Sequence, residues 1–408
     1  LELDWVHGYR GFDSRNNVFY AGINDKRVVI YFAAALGVVL DPTKRTQKYF
    51  RGHDDDIMSM GIYQPDGNTC MVATGQQAAS STFVWEVPSM KTLAVLKTKQ
   101  KSVNQIEFSG DGRLLIMIAE DKSVVVSDWK SQTVLCNTKG EPAVTHQLAV
   151  LRDGPSTNLK FLSVGDKYMK MWTLNGRNLA ATKVLVSKVG AIQTYTCISE
   201  LAGNFYVGCE DGYIYLIPPD YKAVKSKFDH HNNAAQNIEA KKLGKGRKGG
   251  SITAMHMNVE NQLLFTGSKT GTVVCWSLAG QSPSANFCFA VNEVASNILA
   301  KHVHSLFMRL TKTAGEMLIV IGTRGCDILE VKCSGSGDAT LFHDEVPSKS
   351  GTRPDAGVLI RGHCNDELWG VDTHPSEAVF CSVGDDKTMR IFDAKTRSQL
   401  LAVPLGNL

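Results

Sequence analysis

Apolar residues in this chain gather in short runs separated by Gly, Asp and Asn, and no stretch sustains the apolar spacing of a long helix. The pattern predicts an all-β chain of short strands joined by tight turns. Its most regular unit lies near the C-terminus. Arg361-Gly362-His363 leads into strands over Glu367–Pro375 and Ala378–Val383, then the turn Gly384-Asp385-Asp386-Lys387, then strands over Thr388–Asp393 and Ser398–Val403. With Phe392 as a register mark on the third strand, equivalent positions are Trp85, Ser127, Trp172, Ile217, Trp276 and Glu330. They are spaced from 42 residues (Trp85 to Ser127) to 62 (Glu330 to Phe392). On these marks a sheet recurs seven times, its first strands near Ile57–Tyr63, Val103–Phe108, Ala143–Val150, Thr194–Ser199, Ile252–Met257, His304–Leu310 and Leu368–Thr373.

A four-stranded unit of about 40–45 residues plus loop insertions is the blade of a β-propeller, and the Gly-His lead with the aromatic-Asp exit resembles the WD40 repeat. Each first strand is expected to be the innermost of its blade, buried between neighbours. Ahead of them, Val18–Ala21, Val28–Ala34 and Lys48–Phe50 read as the second, third and fourth strands of a further, irregular blade, so the ring is expected to close with seven or eight. An unclosed ring would leave a blade face exposed, and the N-terminal segment is expected to supply the closure. Residues 1–50 are thus read as a hydrophobic motif with an atypical closing blade, and residues 51–408 as repeats of the same propeller.

The WD40 hydrogen-bond chain joins a His, a turn Asp, a second-strand Ser or Thr and a third-strand Trp, and buried polar groups of this kind are stable when all are paired. Here His363, Ser382 and Asp386 occur with Phe392 in place of Trp; His53, Thr74 and Trp85 occur without the turn Asp; other blades, those of Trp172 and Trp276 included, keep less. Sheet packing is expected to outweigh any one such network.

Composition narrows the function. The 44 basic and 40 acidic residues leave a formal charge of +4, too even for a dedicated nucleic-acid binder, so an electrostatic partner would meet a local patch. The 10 cysteines form no Cys-x-x-Cys pair and mostly sit in apolar runs such as Val274-Cys275-Trp276. Buried reduced thiols and a cytoplasmic setting are expected. No apolar run reaches membrane-span length, and Leu1 without a preceding Met or leader reads as the start of an excised segment.

The opening residues Leu1-Glu-Leu-Asp4-Trp5-Val6-His7-Gly8-Tyr9-Arg10-Gly11 resemble the hydrophobic (HELP) motif of echinoderm microtubule-associated-protein-like proteins. Val28–Phe32 with Gly37–Leu40, the Gln47–Ile57 stretch with its Gly-His53, Ser127-Asp-Trp129, Met169–Gly176, Gly322–Val331 and Gly362–Pro375 follow the same family's pattern in order, over essentially the whole chain. Ser127 departs from it, standing where Trp is usual, and 221–250 is longer and more charged than a simple blade connection. The resemblance implies a WD40 propeller, association with tubulin or microtubules, a cytoskeletal location and a second propeller following this one.

Each candidate site in the sequence also has a plainer reading. Lys241, Lys242, Lys245, Arg247 and Lys248 form a basic, glycine-rich stretch that could engage an acidic partner surface, with a solvated connection as the alternative. Lys97, Lys99 and Lys101 read as an exposed turn. Asp229-His230-His231 and His302-x-His304 lack the further ligands a metal site needs, and no metal or cofactor is expected. Asp385 and Asp386 read as turn residues and not paired catalytic acids. Gly8-x-x-Gly11 and Gly244-x-Gly246 lack the setting of a phosphate loop. Trp5, Val6 and Tyr9 are expected to pack as core, against the propeller or between it and a second one. The chain is therefore expected to be a non-catalytic interaction platform with no nucleic-acid or membrane partner. A scaffold for an axonemal or signalling complex is the alternative, and a propeller enzyme is third.

Overall fold

The computed structural model describes residues 2–78, 81–97, 101–154, 156–229, 250–295, 298–335, 337–342, 357–364 and 367–406. Eight antiparallel sheets follow one another, seven of them strictly in chain order from strand one to strand four. The first is complete, with strands Phe19–Ile23, Lys26–Ala33, Leu36–Asp41 and Thr46–Phe50. Val18–Ala21 therefore belongs to an inner strand and not a second one, and Leu36–Asp41 is a strand that the sequence reading did not separate. The turn between Lys26–Ala33 and Leu36–Asp41 runs through Ala34 at φ 47°, without the Gly or Asn that usually marks such a turn.

Periodicity and register agree. Six of the seven marks sit opposite the second or third residue of the preceding strand, as Trp85 faces Val72, Trp172 faces Phe161, Trp276 faces Leu264 and Phe392 faces Phe380; Glu330 faces Val320, the fifth residue of Glu316–Thr323. Inner strands share a bulge near their start, seen at Ile57/Ser59, Thr145/Gln147, Tyr195/Cys197, Ile252/Ala254, Val303/Ser305 and Leu368/Gly370. A bulge adds local twist, which helps each sheet turn from channel to rim.

Seven hydrophobic clusters hold the ring, one between each pair of neighbouring blades. Ile30, Phe32, Val39 and Phe50 meet Ile57, Val72 and Trp85 between the first and second. The same arrangement continues around the ring to Phe265 and Val273 against Leu306 and Leu329 between the sixth and seventh. The ring closes where Tyr20, Val29, Tyr31 and Val38 of the first blade meet Leu318, Val320 and Ile328 of the seventh. The seventh blade's outer edge is built in two pieces, Ala339–Leu341 and Val358–Arg361, both paired to Asp327–Ser334.

The eighth sheet, Leu368–Thr373, Val379–Gly384, Thr388–Asp393 and Ser398–Pro404, stands outside this ring. Its inner strand is exposed, Trp369 at 71% and Val371 at 62%, and contributes nothing to the channel that the other seven line. The expectation that residues 51–408 make one ring is corrected on this point, and the count is seven around the axis plus one beside it. The N-terminal motif anchors the extra sheet: His7 packs on Phe380 and Phe392, Trp5 lies against the guanidinium groups of Arg45 and Arg397, and Asp4 pairs with Arg397 at 2.8 Å.

Candidate interaction face

Buried polar chains fix the loops of the blades. His53 Nδ1 donates to Gln76 Oε1 at 2.8 Å, His53 Nε2 meets Thr74 Oγ1 at 2.7 Å, and Trp85 Nε1 donates to the same hydroxyl at 3.1 Å. Gln76 thus occupies the role of the absent turn Asp, a substitution that no turn motif announces. Burial holds the His53 pKa below its ordinary value, so the ring is neutral and the chain of donors runs one way. Trp172 Nε1 reaches Ser163 at 2.9 Å and Trp276 Nε1 reaches Thr266 at 2.9 Å, in the same register without a His. His363 bridges Asp386 (2.9 Å) and Ser382 (2.8 Å), while Phe392 stacks on Phe380. Where blade three departs from the pattern, the Ser127 hydroxyl is buried without a partner, and Trp129 instead donates to the Gly112 carbonyl at 2.7 Å.

A second polar set ties the N-terminal segment to the seventh blade. Tyr9 is buried, and its hydroxyl donates to Asn17 Oδ1 at 2.6 Å; Asn17 N and Oδ1 both bond Ser305 Oγ, at 2.9 and 2.7 Å. Glu330, at a register mark where Trp is usual, is 1% exposed and accepts from Tyr20 (2.7 Å) and from Arg27 (2.9 and 3.1 Å). His304 Nδ1 donates to the Gly11 carbonyl at 2.7 Å, and its pKa is pushed down to about 3 by burial and by Arg15.

These contacts carry residues 10–16 over one mouth of the channel. Arg10 pairs with Asp13 and Asp56, Ser14 Oγ donates to the Met58 carbonyl, and Phe12 packs under the Arg324 guanidinium. In blades two to seven the turns between second and third strands open on this same face, because each returns a backbone bond to the loop leading into its blade. Gln77 bonds Asp56, Asp166 bonds Val144, Lys269 bonds Ser251 and Arg324 bonds His302 in this way. The opposite mouth leads into a channel of about 570 Å³ lined by Gln64, Glu107, Arg152, Glu200, His256 and Arg309 among others. Burial raises Glu107 to about 7, with Arg152 opposing, and lowers His256 to about 3.

The basic stretch Lys241, Lys242, Lys245, Arg247 and Lys248, with His230, His231 and Lys99, lies outside the described residues. Asp385 accepts from Trp369 Nε1 at 2.7 Å, and Asp386 accepts from His363 and Thr388. Both acids thus serve the turn. Among the described residues no group of three or more His, Cys, Asp and Glu is placed to hold a metal, and no helix is long and apolar enough to cross a membrane.

Comparison with known proteins agrees with this geometry. Residues 46–331 match the family model described as echinoderm microtubule-associated protein first beta-propeller, residues 1–38 the HELP motif and residues 357–393 the WD domain, G-beta repeat. Echinoderm microtubule-associated protein-like 2 of Rattus norvegicus is 26% identical over 97% of this chain and 54% of its own length. The 77 kDa echinoderm microtubule-associated protein of Lytechinus variegatus is 25% identical over 98% and 54%. The chain thus spans about half the length of these relatives. Among solved structures, U3-55K superposes with a TM-score of 0.55 at 15% identity over 76% of this chain and 88% of that one. The computationally designed Ika8 protein does so at 0.52 and 14% over 94% and 98%. At those identities the two structures speak to the fold alone. The family model covers most of a ring whose closing blade carries the HELP motif, and the chain belongs to the echinoderm microtubule-associated protein propeller family.

Proposed function

We propose that this chain is a non-catalytic interaction platform of a microtubule-associated protein, that it binds tubulin or microtubules through a propeller face and its loops, and that it acts in the cytoplasm on the cytoskeleton. Membership of a family whose relatives are named microtubule-associated is the observation that carries this reading. The seven-bladed ring supports it physically: a rigid scaffold with one channel mouth covered leaves its rims and loops for recognition. A second ring is proposed to begin with the sheet at Leu368–Pro404. Its exposed inner strand is the surface that a following blade would cover, and a bare apolar sheet face is otherwise a liability.

Co-sedimentation with polymerised microtubules and pull-down of soluble tubulin, each repeated at raised salt, test the reading. Salt-sensitive binding in either is expected. Binding in neither would favour the scaffold of an axonemal or signalling complex. Replacing Lys241, Lys242, Lys245, Arg247 and Lys248 by Ser is expected to weaken tubulin binding and leave thermal stability unchanged; unaltered affinity would make that stretch a bystander.

A further inference from the structure

Among the described residues Arg10, Arg27, Arg113, Lys139, Lys170, Lys332, Arg361, Arg390 and Arg397 sit in ion pairs. A set of cations on the covered face does not. Arg15, Lys269, Lys301 and Arg324 take part in no ion pair among the described residues, and Arg15 Nη1 is buried without any hydrogen bond. The four are gathered: Asn16 N, next to Arg15, bonds the His304 carbonyl, Arg324 N bonds the His302 carbonyl, and Lys301 lies against Gly271 in the turn that holds Lys269. Their charges lower the pKa of His302 and His304 in addition to burial. Arg15 leaves the first blade's leading segment and lies over the channel mouth. Its charge reaches His146 and Asp166 of the fourth blade, Cys197 of the fifth and Arg324 of the seventh. The one carboxylate in that set, Asp166, is already bonded by His146 Nε2 at 2.8 Å.

Arg15 is half-buried, and its Nη1 lies out of water without an acceptor; such a desolvated N–H is unfavourable, so its retention needs a reason beyond the fold. The surroundings indicate the guest. Lys269 and Lys301 are exposed beside Leu299 (47% exposed), with Ile192 (66%) and Val144 (47%) farther around the same face. This mixture of cations and isolated apolar side chains suits a peptide. A nucleic-acid backbone would meet Asp54, Asp55, Asp56, Glu120 and Asp121 on the side of the second and third blades.

We propose that this face, with Arg15 at its centre and Lys269, Lys301 and Arg324 on the side of the sixth and seventh blades, docks an acidic peptide segment of a partner protein, one carboxylate of which pairs with Arg15. The inference rests on the reading of the chain as an interaction platform and gives that platform a surface and a partner chemistry. An Arg–carboxylate pair in a partly desolvated cup supplies geometry, and the exposed lysines supply attraction that salt screens.

The test uses the whole chain and a fluorescein-labelled oligoglutamate peptide, read by fluorescence anisotropy, with microtubule co-sedimentation run in parallel. The double variant Lys269→Glu/Lys301→Glu is expected to weaken peptide binding about tenfold or more. Lys26→Glu/Lys91→Glu, an equal charge change on the opposite face, should have little effect. Arg15→Gln should weaken the peptide while leaving the melting temperature unchanged or raised, which a merely structural arginine would not do. Equal loss in both charge-reversal pairs, or unchanged binding in Arg15→Gln, overturns the proposal, as does preference for an oligonucleotide of matched charge over the peptide. Loss of microtubule binding by wild type with peptide binding intact would fault only the tubulin reading. Retained microtubule binding with no peptide binding would fault only this surface.

Discussion

The hydroxyl of Thr74 is the point on which the second blade's polar chain turns, and Thr74→Val removes it at nearly constant volume. Thr74 and Trp85 are 0% exposed and His53 8%, so water cannot replace the lost partner. Two groups are orphaned, the Trp85 indole N–H and the His53 Nε2 lone pair. An unsatisfied buried group costs about 1–3 kcal/mol, which puts the expected loss for two at about 2–6 kcal/mol. Trp85→Phe removes the donor as well as its bond, leaves the His53–Thr74 contact in place and should cost less from the polar side. In the double variant only the histidine remains unpaired, so its cost should fall short of the sum of the singles by about 1–2 kcal/mol. Equilibrium urea unfolding of the four proteins measures this, with a second probe to establish that the ring unfolds as a unit. A loss under about 0.5 kcal/mol for Thr74→Val, or strict additivity, would refute the account of a coupled network.

Four further outcomes are expected. The folded-state pKa of His256 and His304 is near 3 and that of His7 near 4, all below the ordinary 6.5, so their contribution is intact above pH 6.5 and is lost as pH falls toward 4. Glu107, raised to about 7, acts oppositely between 4.5 and 7, and Glu107→Gln should therefore gain stability on the wild type above pH 7, as thermal melts across pH would reveal. Gly112→Ala, at φ +68° and driven against the Tyr63 ring, should cost about 2 kcal/mol or more in denaturant unfolding. A chain extended beyond residue 408 should blue-shift Trp369 emission relative to the present chain if a following blade covers its 71% exposed ring; no shift would speak against a second ring starting there.

The strand pattern made the all-β class and the repeat legible, because a sheet buried between neighbours needs apolar runs at fixed spacing, and Trp85, Trp172 and Trp276 stand in one register. Three things were not legible. The first blade's strands blurred because Ala34 turns the chain without a turn residue's signature. The eighth sheet read as another blade of the same ring because its local pattern is that of any blade, and which ring a blade joins is decided by packing partners far away in sequence. Arg15 escaped notice because a single cation makes no pattern. Its isolation is visible only once the first, fourth, fifth and seventh blades meet around it.

The way the ring shuts has a mechanical consequence. At every other junction the chain itself runs from one blade into the next, but the seventh and first blades have no peptide link, and no strand of either is lent to the other. They are clasped by Tyr20, Arg27 and Glu330 and by the Tyr9–Asn17–Ser305 knot. A hoop with a single clasp gives way there first. Tension drawn between its two ends, as on a protein strung along a moving filament, would fall on those few side chains before any strand pairing within a blade is strained.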